Sequence, residues 1–340
     1  TTLFRSVIRE VAPLGGVVTL DGRDMAALSG KELSTRMAVV LTERVRTEMM
    51  TCEDVVATGR YPYTGKFGLL GEKDWTAVRE AMELVHITEL AKRDFSQISD
   101  GQKQRVMLAR AVCQQPELLI LDEPTSFLDL RYKLEFLSIL QQMSRSRRLT
   151  VILSLHELDL AGRISDKIAC IKGDHIDRFG PPEEVYGAGY LSSLYDITVG
   201  SYDSRSGDVE LEPVKGTPRV FVLAGNGTGT GIFRRLQRAG IPFAAGILWE
   251  NDLDYPAAKA LAAEVISVKP FCPIGDEAVT EAKRLINQCD TVFCTLDMAE
   301  VGELAENLRV IQSYARSHTS AYYTKIHTDF LDRSIDKSKI

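Results

Sequence analysis

The stretch that most limits the possible folds is LLILDEPTSFLDL, residues 118–130, where an apolar run ends on Asp122 and Glu123. An aliphatic run without polar alternation is typical of a strand covered on both faces, as in parallel α/β sheets. Ligands bind at the carboxyl ends of such strands, and two adjacent carboxylates there suit a magnesium ion and a polarised water beside a phosphate. The alternative is an acid that only caps the following turn.

The segment ISDGQKQR, residues 98–105, predicts the start of a helix. Ser99 and Gln102 have the spacing of a capping box. A helix start is a favourable site for an anion, and Gly101 would let a phosphate approach the backbone. An ordinary helix start without a ligand is the alternative.

Two further polar residues follow apolar segments. His156 comes after TVILSL, at the exit of another predicted strand, and Asp129 lies in the turn after Glu123. Taken alone, a single His there favours a structural role, and an Asp in a turn commonly stabilises the loop.

The chain shows two successive strand–helix alternations. The pattern in the first predicts strands at 16–22, 36–41, 117–122 and 149–155, helices at 72–87 and 102–114, and a hairpin at 166–180. The stretch 200–218 is rich in Gly, Ser, Asp and Pro and is interpreted as a linker. We therefore predict an α/β domain over 1–212, a smaller Rossmann-like α/β domain with parallel strands over 213–318, and a tail without assigned fold over 319–340.

Composition excludes some classes of protein. The 340 residues suffice for two domains, and the net charge of -6 argues against a nucleic-acid backbone as the main partner. Six scattered cysteines without a C-x-x-C pair favour small core residues in a reducing compartment over a zinc site or disulfides. No apolar run approaches the ~20 residues needed to cross a bilayer.

Four motifs in this order resemble the nucleotide-binding subunit of ABC transporters: ISDGQ as the signature motif, LLILDE as Walker B, SFLD as the D-loop, and the histidine of LSLHELD as the switch. The resemblance covers residues 1–212. It implies an ABC-type P-loop NTPase domain that binds ATP and Mg²⁺, hydrolyses ATP, and forms a head-to-tail dimer with a second copy around two ATP molecules.

The resemblance also implies roles for single residues. Glu123 and His156 would be catalytic, and Asp122 would be a metal ligand. The nucleotide contacts would be Ser99, Asp100, Gly101, Gln102 and Asp129. The signature residues of one copy would complete the γ-phosphate site of the other.

The family's phosphate loop, G-x-x-x-x-G-K-[ST], does not occur in these 340 residues. The opening TTLFRSVIREVAPLGGVVTLDG matches the part of the family's sequence that comes directly after the Gly-Lys. The resemblance therefore implies an N-terminally truncated domain, with Thr1 as a magnesium ligand and Thr2 as a nucleotide contact. We expect the chain as given to hydrolyse ATP poorly or not at all, because the lysine and the phosphate-binding amides are missing.

A second departure concerns the strand AVVL. The family usually has a Gln after it, which contacts the metal and the attacking water, whereas this chain has Glu43. A carboxylate can also ligate magnesium, so Glu43 is predicted as a third metal ligand with Thr1 and Asp122.

The segment EDVVATGRYPYTG, residues 53–65, resembles the GRxPxxG stretch of ATPases that serve iron-chelate, haem and cobalamin importers. The residues themselves indicate a helix ending at Gly59 and a loop, residues 61–63, that could dock a short helix of a partner; a loop without a special partner is the alternative. The resemblance implies a polytopic membrane permease as partner, a substrate-binding protein as indirect partner, no nucleic acid, and a peripheral location on the cytoplasmic face of the plasma membrane.

The second domain contains VFVLAGNGTGTG, residues 220–231, which places a glycine-rich loop between a strand and a helix. With Glu250 about 20 residues later, this is the outline of a dinucleotide-binding unit. However, Thr230 stands where G-x-G-x-x-G has its third glycine. Nucleotide or small-ligand sensing and a structural or regulatory appendage both stay open.

Two other functions are alternatives. A soluble ABC-type ATPase acting on ribosomes or DNA typically carries two cassettes, and the second half here has neither a signature nor a Walker B motif. A degenerate cassette fused to a nucleotide-sensing or nicotinamide-dependent domain would bind its nucleotide through residues 216–318, where we find no catalytic pair.

Overall fold

A computed structural model describes residues 2–12, 15–41, 49–65, 67–126, 128–147, 149–187, 189–203, 207–297, 302, 306–319 and 321–323. By compactness the chain divides into two units, Thr1–Ile168 and Ala169–Ile340. This division comes earlier than the predicted domain boundary at 212, because the hairpin and short helices after residue 168 group with the second unit. The boundary at 212 stays a prediction.

The first unit alternates helices and strands. Its helices are α1 (Thr2–Val7), α2 (Gly30–Arg36), α3 (Cys52–Ala57), α4 (Glu72–Leu84), α5 (Asp100–Cys113), α6 (Leu130–Arg147) and α7 (Leu158–Ile164). Its strands are β1 (Thr19–Leu20), β2 (Arg23–Asp24), β3 (Met37–Val40), β4 (Leu118–Leu121) and β5 (Thr150–Leu153). Short 3₁₀ helices cover Met25–Ala27, Thr58–Tyr63, Thr88–Leu90 and Phe95–Gln97.

The central element of this unit is β4, which pairs in parallel with β3 on one side and β5 on the other. All four of its side chains are buried. Leu119 and Leu121 belong to one core with helices α3 to α6, whereas Leu118 and Ile120 pack into a second core with Met25. Both faces of β4 are therefore covered, which explains its continuous aliphatic sequence.

The second unit begins with small elements and ends in a larger sheet. Its helices are α8 (Pro182–Val185), α9 (Tyr190–Leu194), α10 (Thr230–Arg238), α11 (Tyr255–Leu261), α12 (Asp276–Gln288) and α13 (Glu306–His318). Its strands are β6 (Ile168–Lys172), which starts at the boundary, β7 (His175–Gly180), β8 (Ser201–Asp203), β9 (Asp208–Glu210), β10 (Val220–Leu223), β11 (Phe243–Trp249), β12 (Glu264–Val268), β13 (Thr291–Cys294) and β14 (Ala321–Tyr323).

The main sheet of the second unit has five parallel strands in the order β12–β11–β10–β13–β14. Helices α10 and α11 contribute to the core on one face, and α12 and α13 contribute to the core on the other. The strand order reverses between β10 and β13, so the carboxyl ends of these two strands form a topological switch point. The predicted Rossmann-like, parallel arrangement is confirmed.

The structure adds strands to two segments that had no predicted secondary structure and differs from one predicted helix end. The interpreted linker contains the antiparallel pair β8–β9, because a run rich in Gly and Ser can still pair through its backbone. The tail contributes β14, which pairs with β13 through residues 321–323. The helix expected to end at Gly59 is α-helical only to Ala57 and continues as the 3₁₀ helix through Pro62 to Tyr63.

The six cysteines are all reduced, and five of them are buried, as expected for small core residues. Burial raises the pKa of Cys113 and of Cys289 to about 12. The sixth, Cys272, is exposed. Among the described residues, no helix has both the length and the apolar character that a bilayer crossing requires.

Candidate functional site

The paired acids lie where the sequence predicts, immediately after β4. The backbone N–H of Asp122 donates to the carbonyl of Val40 on β3, at 2.9 Å, and the Asp122 side chain is buried. Ser154, which comes after β5, donates its hydroxyl to Asp122 Oδ1 at 2.9 Å and accepts the N–H of Glu123 at 2.8 Å. This hydroxyl therefore fixes both acids against the neighbouring strand.

Glu123 has a left-handed backbone, with φ of 48°, and its side chain is one-quarter exposed. His156 lies beside it, with Nε2 at 3.0 Å from Glu123 Oε1. Because an ionised carboxylate can only accept, Nε2 is the ring nitrogen placed to donate a proton to Glu123. Ser126 donates to the other oxygen, Oε2, at 3.2 Å. The structure thus brings together the two residues predicted to be catalytic.

A partly buried ion pair involves Glu157, the residue that follows His156 in the chain. Thr125, which is buried, donates its hydroxyl to Glu157 Oε2 at 3.2 Å, and Lys133 on α6 forms an ion pair with Glu157 Oε1. Burial alone would raise the pKa of Glu157, but the hydrogen bond from Lys133 and further bonds outweigh it, so that the pKa is lowered. Glu157 is therefore a fixed anion next to His156 in the chain.

The signature residues form the start of α5. Ser99 accepts the N–H of Gln102 at 3.3 Å, and Gln102 Oε1 accepts the N–H of Ser99 at 3.0 Å, which is the predicted capping box. Asp100 lies 3.7 Å from Lys103. Gly101 borders Leu128 and Tyr132, where an added Cβ would meet side-chain atoms at 3.5 Å. The starts of α5 and α6 are therefore neighbours, and Gly101 is not forced by lack of space.

Asp129 serves the start of α6. Its Oδ1 accepts the N–H of Tyr132 at 3.1 Å, and its side chain is exposed. This is the loop-stabilising role that was the alternative for a lone Asp. A nucleotide contact for Asp129 stays a prediction.

The structure gives no side-chain position for three of the predicted ligands. Thr1 and Glu43 lie outside the described residues, and Thr2 is placed only as the first residue of α1. Within the described ranges, no group of three or more His, Cys, Asp or Glu side chains is arranged to hold a metal ion. Asp122 is a suitable carboxylate ligand for Mg²⁺, but the remaining ligands would have to come from elsewhere.

Comparison with known proteins decides the family. A family model described as ABC transporter matches residues 1–126. A Methanocaldococcus jannaschii protein named as the uncharacterised ABC transporter ATP-binding protein MJ0873 is 41% identical over 240 residues, which are 70% of this chain and 82% of that protein. This chain belongs to the ABC transporter ATP-binding family. It is an ATPase subunit that binds nucleotide, as the four motifs imply.

Two other relatives of this ABC ATPase are named for importers. The cobalamin import ATP-binding protein BtuD of Halobacterium salinarum is 31% identical over 292 residues, which are 84% of this chain and 73% of that protein. The ferric enterobactin transport ATP-binding protein FepC of Escherichia coli is 30% identical over 223 residues, 66% of this chain and 79% of that protein. The predicted resemblance to importer ATPases is confirmed.

Two comparisons concern the fold and the second unit of the ABC ATPase. A solved structure, described as an inward-facing conformation of a metal-chelate type ABC transporter, matches with a TM-score of 0.51 at 24% identity, over 60% of this chain and 78% of that chain. The predicted ABC-type fold is confirmed. A separate family model, the MJ0874 family, matches residues 243–338, inside the second unit.

In the GRYPYTG segment, residues 59–65, Gly59 and Arg60 are buried, whereas Tyr61 and Tyr63 are exposed. An added Cβ on Gly59 would meet the Arg110 carbonyl oxygen at 2.2 Å, so only glycine fits. Arg60 is buried and donates Nε to Asp74 at 2.9 Å, with the Tyr63 ring 3.9 Å from its guanidinium. A backbone hydrogen bond from Gly71, together with that from Arg60, lowers the pKa of Asp74.

Sequence reasoning missed Ser154, Thr125 and Glu157. A serine two positions before His156 alternates with Leu153 and Leu155 in the sequence, and this alternation at a strand exit was the available signal for Ser154. Lys133 and Glu157 are 24 residues apart, so no local spacing predicts their pairing.

Proposed function

We propose that this ABC ATPase hydrolyses ATP at the carboxyl end of β4 to drive import of a metal chelate. The observation that carries the proposal is the cluster of Asp122, Glu123 and His156, in which the His–Glu distance is 3.0 Å and Ser154 holds both acids. Importer names among the relatives, for cobalamin and for ferric enterobactin, support the direction of transport.

Glu123 is the proposed general base. Its carboxylate accepts one proton of a water whose oxygen attacks the γ-phosphorus, while the bond from that phosphorus to the bridging oxygen breaks and ADP leaves. His156 Nε2 lies 3.0 Å from Glu123 Oε1, so a proton on Nε2 would orient the carboxylate and provide a donor for the developing charge on the phosphate. Ser154 acts through both acids and is a positioning residue.

Mg²⁺ fits the site by the chemistry of Asp122, a carboxylate at the end of a parallel strand. When bound, the ion would neutralise charge on the phosphates. Asp122 would hold it, and Thr1, Thr2 and Glu43 are the other proposed contacts to the metal and nucleotide. The Ser154 hydroxyl occupies one side of Asp122 Oδ1, so it limits the directions from which a ligand approaches.

A second copy is the proposed partner at the nucleotide. The capping box leaves the positive end of the α5 dipole at residues 99–102. We propose that these residues and Asp129 of one copy contact the γ-phosphate held by Asp122, Glu123 and His156 of the other. The exposure of Ser99, Asp100 and Asp129 supports this contact.

A membrane permease is the proposed partner of the segment after α3. Four large side chains here are exposed: Tyr61 by 59%, Tyr63 by 40%, Phe67 by 90% and Leu69 by 79%. Such an apolar surface suits a short helix of a partner. This partner would hold the ABC ATPase on the cytoplasmic face of the plasma membrane and link it indirectly to a substrate-binding protein.

Among metal chelates, a corrinoid is the cargo we propose. The match to the H. salinarum protein covers 84% of this chain, whereas the match to the Bacillus subtilis siderophore protein YusV covers 64%, so the likeness to the cobalamin protein spans a longer part of this chain. We expect cobalamin to stimulate the ATPase activity of the permease complex and a ferric siderophore to have no effect. The reverse order of stimulation contradicts the corrinoid cargo but leaves the hydrolysis proposal standing.

The test of hydrolysis uses the full-length gene product with its permease. Glu123→Gln should lower the ATPase rate by at least about 100-fold, because a general base is lost, while ATP binding stays within a few-fold. The matched control is Glu117→Gln, which alters a carboxylate at the opposite end of β4 that pairs with Arg36. Full activity in Glu123→Gln, or an equal loss in Glu117→Gln, would contradict the assigned role.

A further inference from the structure

The second unit contains a cavity of about 430 Å³ at the carboxyl ends of β10, β11 and β13. It lies at the topological switch point of the five-stranded sheet, where open α/β sheets bind ligands. Its volume is in the range of pockets for small molecules. Its lining includes Asn226, Trp249, Asp252, Phe271, Leu296 and Asp297.

Three backbone N–H groups of the glycine-rich loop are already bonded to carboxylates of the same unit. Asp254, which is fully buried, accepts the N–H of Gly229 at 2.8 Å and both the N–H and the hydroxyl of Thr230 at 2.8 and 2.7 Å. Asp252 accepts the N–H of Asn226 at 2.9 and 3.1 Å. These groups occupy the start of α10, where a dinucleotide fold would hold its pyrophosphate.

A phosphate would therefore have to displace a buried carboxylate and approach a second one. Either step is unfavourable, since like charges repel and the freed carboxylate would stay buried without its donors. The acid expected at a ribose is also elsewhere: Glu250 is exposed and is not part of the described cavity lining. The dinucleotide interpretation of this loop is not supported by its geometry.

The other residues that line the cavity favour a positively charged ligand rather than a phosphate anion. Among the described residues that line the cavity, Asp252 and Asp297 are acidic and none is Lys, Arg or His. The indole N–H of Trp249 donates to the Cys272 carbonyl at 2.8 Å, which fixes the orientation of the ring. Aromatic faces attract both flat ligands and cations.

We propose that this cavity binds a small organic cation with a flat apolar body. The protonated amine lies near Asp252 and Asp297, and the flat part contacts Trp249, Phe271 and Leu296. The inference depends only on residues of the second unit and is independent of the proposed transport function.

The experiment uses three probes with the same ring and different charge: phenethylamine, 2-phenylethanol and phenylacetate. These 340 residues contain two tryptophans, so Trp75→Phe in this chain leaves Trp249 as its sole indole reporter. Fluorescence titration and calorimetry should both give the order amine, alcohol, carboxylate, with about tenfold tighter binding of the amine than of the alcohol. No saturable binding of the amine at millimolar concentration, or tighter binding of phenylacetate, would overturn the proposal.

Two variants and one further probe pair sharpen the result. Asp297→Asn should weaken phenethylamine about tenfold and leave 2-phenylethanol unchanged, whereas Glu250→Gln, the same change of charge on an exposed side chain outside the described lining, should alter neither. A comparison of adenosine with adenosine monophosphate tests directly whether a phosphate group weakens binding to the cavity. Tighter binding of the monophosphate, reported by Trp249, would overturn the charge preference that we infer.

Discussion

The two parallel sheets both carry acids near their carboxyl ends but use them in opposite ways. After β4, Asp122 and Glu123 bond to Ser154, and Glu123 is partly exposed beside His156. After β11, Asp254 is fully buried and bonds to the start of α10. The first pair of acids is the one we propose for a cation and a water, whereas the second acid holds the glycine-rich loop.

The comparison teaches that position at a strand end does not by itself define a binding site. The two acids differ in their neighbours: Asp254 lies within hydrogen-bond distance of backbone N–H groups at the start of a helix, which have no partner inside that helix. Asp254 reaches the glycine-rich loop at 2.8 Å, and a buried carboxylate bonded to such donors is favourable where a lone one would be costly. Four changes test this difference, from the largest expected effect to the smallest.

Asp254→Ala should lower the free energy of unfolding of the second unit by about 3 kcal/mol or more, because three hydrogen bonds to a charged group are lost and the Gly229 amide stays buried. Chemical denaturation of the Trp75→Phe protein, followed by Trp249 fluorescence, measures it. Asp254→Asn should recover part of the loss. A loss below about 1 kcal/mol, comparable to that of an exposed substitution such as Glu250→Ala, would mean that this acid does not complete the fold.

Ser154→Ala should lower kcat for ATP hydrolysis about tenfold, equivalent to about 1.4 kcal/mol of activation free energy, with KM for ATP within a few-fold. Ser154→Thr keeps a hydroxyl and should restore most of the rate. Steady-state kinetics of the permease complex provides the measurement. If both variants lose the same activity, the hydroxyl does not position the acids.

Asp129→Ala should lower the stability of the first unit by about 1 kcal/mol, because Asp129 caps the start of α6. Asp254 bonds to the start of α10 in the same way, but Asp129 does so from an exposed position. Asp129→Asn should retain stability, because an Asn oxygen can also accept the Tyr132 N–H. Thermal unfolding compares the two variants. A reduced ATPase rate in the stable Asn variant would favour the additional nucleotide contact; an unchanged rate would argue against it.

Glu157→Gln should have the smallest effect, below about 1 kcal/mol at neutral pH, since its side chain is 27% exposed. The pKa of Glu157 is lowered in the folded protein, so its contribution to stability is present above the ordinary pKa of a glutamate and is lost as the pH falls through the folded value. The difference between wild type and variant should therefore shrink from pH 6 to pH 3. A difference that grows on acidification would contradict the lowered pKa.

The sequence predicts elements whose signal is local and continuous. The aliphatic run of β4, the capping box at Ser99 and the alternation of strands and helices in both units all have this character, and the structure contains them. The acids after β4 could be predicted for the same reason, since they adjoin the strand directly.

Features that depend on distant parts of the chain could not be predicted. Ser154 reaches Asp122 across 32 residues, through the register of β5 on β4. Asp254 meets the glycine-rich loop across 24 or 25 residues, because β11 returns beside β10. The composition of the loop alone suggested a phosphate site. In the folded chain, Asp252 and Asp254 instead accept the hydrogen bonds of this loop.

The distribution of the cysteines has a practical consequence. Five thiols are buried and Cys272 is exposed, while its carbonyl accepts the indole N–H of Trp249 at the cavity. A maleimide dye added to the folded native protein should therefore attach at one position, without any cysteine having to be removed by mutagenesis. That dye would stand next to the indole, at a distance suited to quenching, so that the unaltered chain carries its own paired optical probes for events at this pocket.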